Sequence, residues 1–91
     1  SNKMYSYEII PSLQRTLNKL SRKDKKTYET VMNKIEEIIE NPQHYKPLKY
    51  YLVGERRVHI MKCFVLKFGI NEQTKTVRFI FFGHHDEAYE R

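Results

Sequence analysis

The chain has 91 residues, which suits one small domain over residues 1–91 and excludes two domains joined by a linker. Its 17 Lys and Arg against 11 Asp and Glu favour a polyanionic partner, with nucleic acid, an acidic membrane surface and an acidic protein all open. The lone Cys63 excludes an internal disulfide, no segment reaches the ~20 apolar residues of a membrane span, and no leader precedes the first predicted strand. We therefore predict a soluble, cytoplasmic protein without membrane contact; Ser1 and Asn2 are candidates for a cloning remnant.

The first predicted elements are a strand and a short helix. Residues 4–10 are rich in aromatic and β-branched side chains, and Pro11, which has no N–H to donate, should end this strand. Ser12 is the expected N-cap of the helix that follows. The apolar residues of that helix are spaced four and then three residues apart, which places them on one face: Leu13, Leu17 and Leu20.

A second helix should follow almost directly. Ser21 with Asp24 three residues later is typical of a helix start, and Asn41 followed by Pro42 should end the helix. Between them the apolar residues keep a helical period: Tyr28, Val31, Ile35, Ile38 and Ile39. Two amphipathic helices with so short a connection predict an antiparallel helical hairpin with one apolar face to bury.

The C-terminal half predicts the rest of a sheet. The segments "ERRVHI", "CFVLKFGI" and "KTVRFIFF" read as strands, with "NEQTK" as a hairpin turn, and "LKYYLV" is a further candidate for extended structure. The fold class is therefore α+β, in the order β-α-α-β-β-β. We expect a twisted, mainly antiparallel sheet that carries the helical hairpin on one face and leaves the other face open.

The strand "RRVHI" supplies the candidate chemistry of that open face. Alternation puts Arg57, His59 and Met61 on one side, and Val58 and Ile60 on the other, against the helices. A guanidinium and an imidazole two residues apart could together bind a phosphodiester. The alternative is that both are ordinary solvent-exposed surface residues. Further cations lie nearby in sequence: Lys46, Lys49, Lys62 and Lys67.

The ending "GHHDEAY" raises the question of a metal site. Adjacent His84 and His85 point in different directions, and with Asp86 they match no metal-ligand spacing. Cys63 lies among strand residues without a turn to expose it as a nucleophile, and there is no phosphate-cradling glycine loop. We predict no metal and no cofactor, which leaves acid/base work by histidine.

Two segments, "PLKYYLVGERRVHIMKCFVLKF" and "VRFIFFGHHDEAY", resemble the RelE/ParE superfamily of toxins from toxin–antitoxin systems, in its RelE and YafQ-like branch. The resemblance implies a ribosome-dependent endoribonuclease that cuts messenger RNA in the decoding site without a metal. It also implies an antitoxin protein as partner. By position, the resemblance implies catalytic roles for His59 and His85, a functional aromatic at Tyr89, a basic position at Lys46 and, more loosely, Arg57.

The hypothesis for the site follows from that chemistry. RNA cleavage without a metal needs a base for the 2′-OH proton, cations for the phosphate and an acid for the 5′-oxygen. We assign His59 and His85 as the acid/base pair, Arg57 with Lys46 or Lys62 as the cations, and Tyr89 as a stacking or orienting group. The expected RNA-binding residues are Lys46, Lys49, Lys62, Lys67 and His84.

The sequence also departs from the family pattern. Met61 stands where many relatives have a turn glycine, and Cys63 where the YafQ-like branch has an acidic residue. Two alternatives stay open: a ParE-type gyrase inhibitor on the same fold, and a non-enzymatic basic module that binds RNA or the ribosome.

Overall fold

The computed structural model describes residues 5–45 and 55–85. Its elements are β1 (Ser6–Ile9), α1 (Pro11–Lys23), α2 (Lys25–Glu40), a short 3₁₀ turn (Pro42–His44), β2 (Glu55–Ile60), β3 (Phe64–Asn71) and β4 (Thr76–His84). The predicted α+β class and the order β-α-α-β-β-β are confirmed. The predicted extended segment at 48–53 lies outside the described residues.

The four strands form one mixed sheet in the order β1-β4-β3-β2. The pairs β2–β3 and β3–β4 are antiparallel, while β1 lies parallel to β4 at the edge of the sheet. Parallel strands cannot be joined by a tight turn and need a crossover connection. Here the connection from β1 to β4 begins with the helical hairpin, which follows β1 directly. The sheet is therefore mainly antiparallel, as predicted, and its first strand pairs with the last described one.

The start of α1 differs from the prediction. The N-cap is Ile10, no side chain caps the helix, and Pro11 is its first residue, so the expected cap at Ser12 is wrong. Proline suits this position because its fixed φ is helical and its missing N–H would have had no partner in the helix. Pro11 therefore ends β1 and begins α1, and Ser12 lies one residue inside the helix.

The second helix begins later than Ser21, which lies inside α1 and donates a hydrogen bond to the Asn18 carbonyl at 2.7 Å. Asp24 is the N-cap of α2. Its carboxylate accepts hydrogen bonds from the Thr27 hydroxyl at 2.6 Å and the Thr27 backbone N–H at 3.2 Å. The acidic residue, rather than the serine, thus marks the start of the helix.

The Asp24 cap should make the stability of the fold decrease at acid pH. The hydrogen bond from the Thr27 side chain, followed by the one from the Thr27 backbone, lowers the pKa of Asp24. A carboxylate with a lowered pKa stabilises the fold above its unfolded pKa, and this contribution is lost as pH falls through the folded pKa. We expect Asp24→Ala to lower the melting temperature by about 5 °C at pH 7 and by less as the pH falls below 4.

Thermal melts followed by circular dichroism at several pH values would measure this effect. Asp24→Asn is the matched control, since an amide oxygen still caps a helix but does not titrate. An Asp24→Ala deficit that is the same at pH 3 and pH 7 would contradict the assignment.

The core lies between the helical hairpin and one face of the sheet. The helices contribute Leu13, Leu17, Val31, Ile35, Ile38 and Ile39, and the strands contribute Ile60, Leu66, Phe68, Val77, Phe79 and Phe82. On β4 the pairing shifts: Lys67 lies opposite Phe81 and Phe68 opposite Phe79, which leaves Ile80 as an extra residue. This bulge lets Phe79 and Phe82, three residues apart, both reach the core.

Candidate active site

The face of the sheet turned away from the core cluster is called the open face here. Alternation and cross-strand pairing arrange its residues in rows that run across the strands. The histidine row is His59, Val65 and Gly83; the cation row is Arg57, Lys67 and Phe81; the glycine row is Glu55, Gly69 and Arg78. The face is not uniformly accessible, because Val65 in the histidine row is fully buried.

The two candidate catalytic histidines are in contact. The His59 and His85 rings stack with their centroids 5.3 Å apart and their planes 17° from parallel. His59 comes from β2, whereas His85 follows the end of β4 and its backbone N–H donates to the Cys63 carbonyl at 2.8 Å. This hydrogen bond continues the β3–β4 ladder one step beyond the pair of Phe64 and His84.

Both imidazoles are exposed, so a substrate can reach them from solvent. Histidine is the side chain whose ordinary pKa allows it to act as base and as acid near neutral pH. Two such rings side by side offer one site for each half of a proton-transfer cycle. The arrangement therefore has the composition that general acid/base chemistry requires.

The cation row lies next to the histidines. Arg57 and Lys67 are cross-strand partners and both are partly buried. The Lys67 ammonium lies 3.7 Å from Glu55 Oε1 and 5.6 Å from the centre of the Phe81 ring, and only 12% of its side chain is exposed. Lys67, expected to bind RNA, is thus held against the sheet by a carboxylate on one side and an aromatic ring on the other.

Glu55 is a residue that the sequence analysis did not single out. Its Oε1 is buried and accepts no hydrogen bond among the described residues, so its contact with Lys67 is electrostatic. The alternation of Glu55 with Arg57 and His59 on β2 could have indicated it. Glu55 contributes negative charge to one side of the cation row.

The turn after β2 corrects one prediction. The strand ends at Ile60, and Met61 has a φ of 60°, so Met61 does not continue the alternation. Its sulfur lies 3.6 Å from the Thr27 hydroxyl oxygen on α2. The prediction that Met61 shares the open face with Arg57 and His59 is therefore wrong. Its left-handed backbone also explains why a glycine would suit this position.

Lys62 follows in the same turn with a φ of 84° and is exposed. A left-handed conformation is unfavourable for a residue with a Cβ. We expect Lys62→Gly to raise the free energy of unfolding by up to about 1 kcal/mol while removing a candidate RNA-binding cation. Urea denaturation would measure the effect, with Lys62→Ala as the control that loses the same charge without relieving the backbone. Equal stability of the two variants would contradict the expectation.

His84 lies away from the histidine pair. It is opposite Phe64 on the neighbouring strand, with ring centroids 4.8 Å apart, and Phe64 also stacks on Phe82 of the core. His84 and His85 follow each other where the strand ends, and the His85 ring stacks on His59. The expected RNA-binding role of His84 therefore remains a prediction for a residue on the helix side of the sheet.

Three further candidates, Lys46, Lys49 and Tyr89, lie outside the described residues. Within residues 5–45 and 55–85, no group of three or more His, Cys, Asp or Glu side chains could hold a metal ion. Over the same part of the chain, no helix has the length and apolar character needed to cross a membrane.

The α+β fold is shared with solved structures. The structure is similar to that of the toxin–antitoxin complex RelBE2 from Mycobacterium tuberculosis, with a TM-score of 0.77, 20% identity and coverage of 91% of this chain and 100% of that one. It is also similar to YafQ from E. coli, with a TM-score of 0.62, 21% identity and coverage of 94% and 99%. At these identities the likeness shows the fold.

The sequence places the chain more narrowly. Residues 7–89 match the family described as the ParE toxin of the type II toxin–antitoxin system parDE. Over 88 residues the chain is 50% identical to the "Putative toxin RelE4" of Methanocaldococcus jannaschii, covering 97% of this chain and 94% of the relative. The chain belongs to this family of the RelE/ParE superfamily, and it is a toxin of a type II toxin–antitoxin system.

Proposed function

We propose that this toxin is a ribosome-dependent, metal-independent endoribonuclease that cuts messenger RNA in the decoding site. The observation that carries the proposal is the stacked pair of exposed histidines, His59 and His85, at a centroid distance of 5.3 Å. Inhibition by binding alone requires no second histidine beside the first. Two neighbouring histidines can, however, supply the base for one end of a reaction and the acid for the other.

The proposed reaction uses one imidazole at each end. The neutral histidine takes the proton of the ribose 2′-OH, and the 2′-oxygen attacks the neighbouring phosphorus. The bond from phosphorus to the 5′-oxygen then breaks, and the protonated histidine gives its proton to that oxygen. The products are a 2′,3′-cyclic phosphate and a 5′-hydroxyl. Either His59 or His85 can be the base, because both rings lie at the same exposed site.

The cation row supports the electrostatic half of the proposal. Charge that builds up on the phosphate needs donors fixed nearby. Arg57 is two residues before His59 on the same face of β2, and Lys67 is the cross-strand partner of Arg57. We propose these two, with Lys62 and Lys46, as the phosphate-binding cations, and Tyr89 as the group that stacks on a base.

The test is primer extension on a reporter messenger RNA in a translation extract, with purified protein, and the same reaction without ribosomes. We expect cuts at defined codon positions only while ribosomes translate, because a site with so few groups depends on the ribosome to position the substrate. Mass spectrometry of the 5′ fragments should find 2′,3′-cyclic phosphate ends. Intact message in the extract would refute the proposal.

A gyrase inhibitor is the second candidate function, because the matched family carries the name ParE toxin. It predicts loss of DNA supercoiling by gyrase with the messenger RNA left intact. A supercoiling assay beside the primer extension therefore separates the two. A non-enzymatic basic module would affect neither reaction and would bind RNA with strong salt dependence.

The proposed partner in the cell is an acidic antitoxin protein, and the proposed compartment is the cytoplasm, where ribosomes translate. A similar fold has been solved as a toxin–antitoxin complex, RelBE2. The net charge of +6 would attract an acidic partner. Co-expression with the neighbouring open reading frame should relieve growth arrest, and persistent arrest would argue that this frame does not encode the antitoxin.

A further inference from the structure

A cleft lined by both polar and apolar groups lies on the open face beyond the cation row, on the side away from the histidine pair. Its volume is about 520 Å³, and its lining includes Glu8, Gly69, Asn71, Thr74, Thr76 and Arg78. We propose that this cleft binds one unpaired base of the messenger RNA close to the cut bond. The proposal rests on the proposed function, and it gives that function a second contact with its substrate.

The absence of a side chain at Gly69 opens the cleft. Gly69 lies inside β3, between Glu55 on β2 and Arg78 on β4, and the row ends with Glu8 on β1. Glycine in the interior of a strand weakens the strand and packs nothing, and it often marks a place where a ligand approaches the backbone closely. Any larger residue here would extend from the floor into the cleft.

The charges of the cleft favour a base over a phosphate. Arg78 Nε donates to Glu8 Oε2 at 3.2 Å, so the two charges offset each other, and about 60% of each side chain remains exposed. A phosphate group would meet the Glu8 carboxylate. A base edge carries both donors and acceptors, which match the guanidinium and the carboxylate. The Thr74 hydroxyl donates to the Thr76 hydroxyl at 3.0 Å and the Thr76 hydroxyl donates to the Thr74 carbonyl at 3.2 Å, so these hydroxyls can only accept from a base.

The position of the cleft suits a base one or two nucleotides from the cut. Gly69 and Val65 are four residues apart on the same face of β3, which corresponds to about 13 Å. Arg57 and Lys67 lie between the cleft and the histidine pair. An RNA strand whose phosphates meet the cation row would therefore reach the histidines on one side and the cleft on the other.

The test compares the nucleotide preference around the cut sites for four proteins, using primer extension on a translated library of randomised codons. Gly69→Val places a branched side chain on the floor of the cleft without changing charge, and Arg78→Ala removes the main donor of the cleft. Arg15→Ala, an exposed cation on α1, is the control for lost charge. We expect the first two variants to keep cutting but to reduce the preference at one position beside the cut by about tenfold.

The outcomes separate this proposal from the proposed function. If the native protein cuts and the folded Gly69→Val and Arg78→Ala variants keep its preference, the cleft is not a base site, although the ribonuclease remains. Circular dichroism checks folding, and Arg78→Ala still tests the cleft if Gly69→Val unfolds.

If the native protein cuts nowhere, the proposed function fails, and amide chemical shifts during titration with a 2′-O-methyl RNA oligonucleotide decide the cleft separately. Shifts at Gly69, Asn71 and Thr76 that Arg78→Ala removes would support the base site. Unchanged shifts at these amides would overturn it.

Discussion

Replacing either His59 or His85 by alanine is expected to reduce ribosome-dependent cleavage of messenger RNA by about 10²–10⁴-fold. The reason is geometric: the two rings are stacked, one comes from β2 and the other from the end of β4, and each would serve one end of the same reaction. In the proposed reaction, loss of one histidine would leave the 2′-OH without a base or the 5′-oxygen without an acid. Single-turnover cleavage on programmed ribosomes would measure the change.

His44→Ala is the matched control for this prediction. His44 is exposed on the 3₁₀ turn, where its ring packs edge-on against Tyr45 with centroids 5.0 Å apart. The His44→Ala variant should cleave messenger RNA at the same rate as the native protein. The double variant of His59 and His85 should be little worse than either single variant, because groups that act as a unit are not additive. Full cleavage by both single variants would end the acid/base assignment.

Replacing Phe68 by alanine should be the most damaging change to the fold. Phe68 is fully buried between Tyr45 and Phe79, with ring centroids 5.8 Å from each. Truncating a buried phenylalanine costs about 3–5 kcal/mol, through lost burial and the cavity left behind. A domain of this size has about 5–15 kcal/mol of stability in total, so much of it would be lost.

Urea denaturation with linear extrapolation measures this loss. Tyr7→Ala is the control on the same side of the sheet, because Tyr7 is 51% exposed and its ring packs edge-to-face with Phe79 at a centroid distance of 6.3 Å. Its cost should be well below that of Phe68→Ala. Equal costs would mean that the core is not centred between the helices and β3.

Much of the fold was predictable because periodicity survives in the sequence. The leucine and isoleucine stripes predicted both helices, and the alternation in "ERRVHI" placed Val58 and Ile60 towards the core. Local exceptions were not predictable by the same rule. Pro11 begins α1 because a proline fits the first helical turn. Ile80 is an extra residue in β4, because the bulge there allows Phe79 and Phe82, three residues apart, to pack in the same core.

The candidate site was predictable in part. The contact between His59 and His85 follows from strand alternation together with an antiparallel β3–β4 pair, both of which can be inferred from the sequence. The pairing of Lys67 with Glu55 depends on the cross-strand register, which no local pattern specifies. Met61 leaves the open face because its turn is left-handed, and only the backbone conformation shows this.

The parallel pairing of β1 with β4 has a consequence for synthesis. The edge strand at the start of the chain finds its partner only after residues 76–79 have left the ribosome, and His85 follows them. Pairings between distant parts of a chain form late, because the closure of a long loop must be offset before the contacts stabilise it. A nascent copy of this toxin therefore cannot complete its sheet or its histidine pair until β4 and His85 have been synthesised.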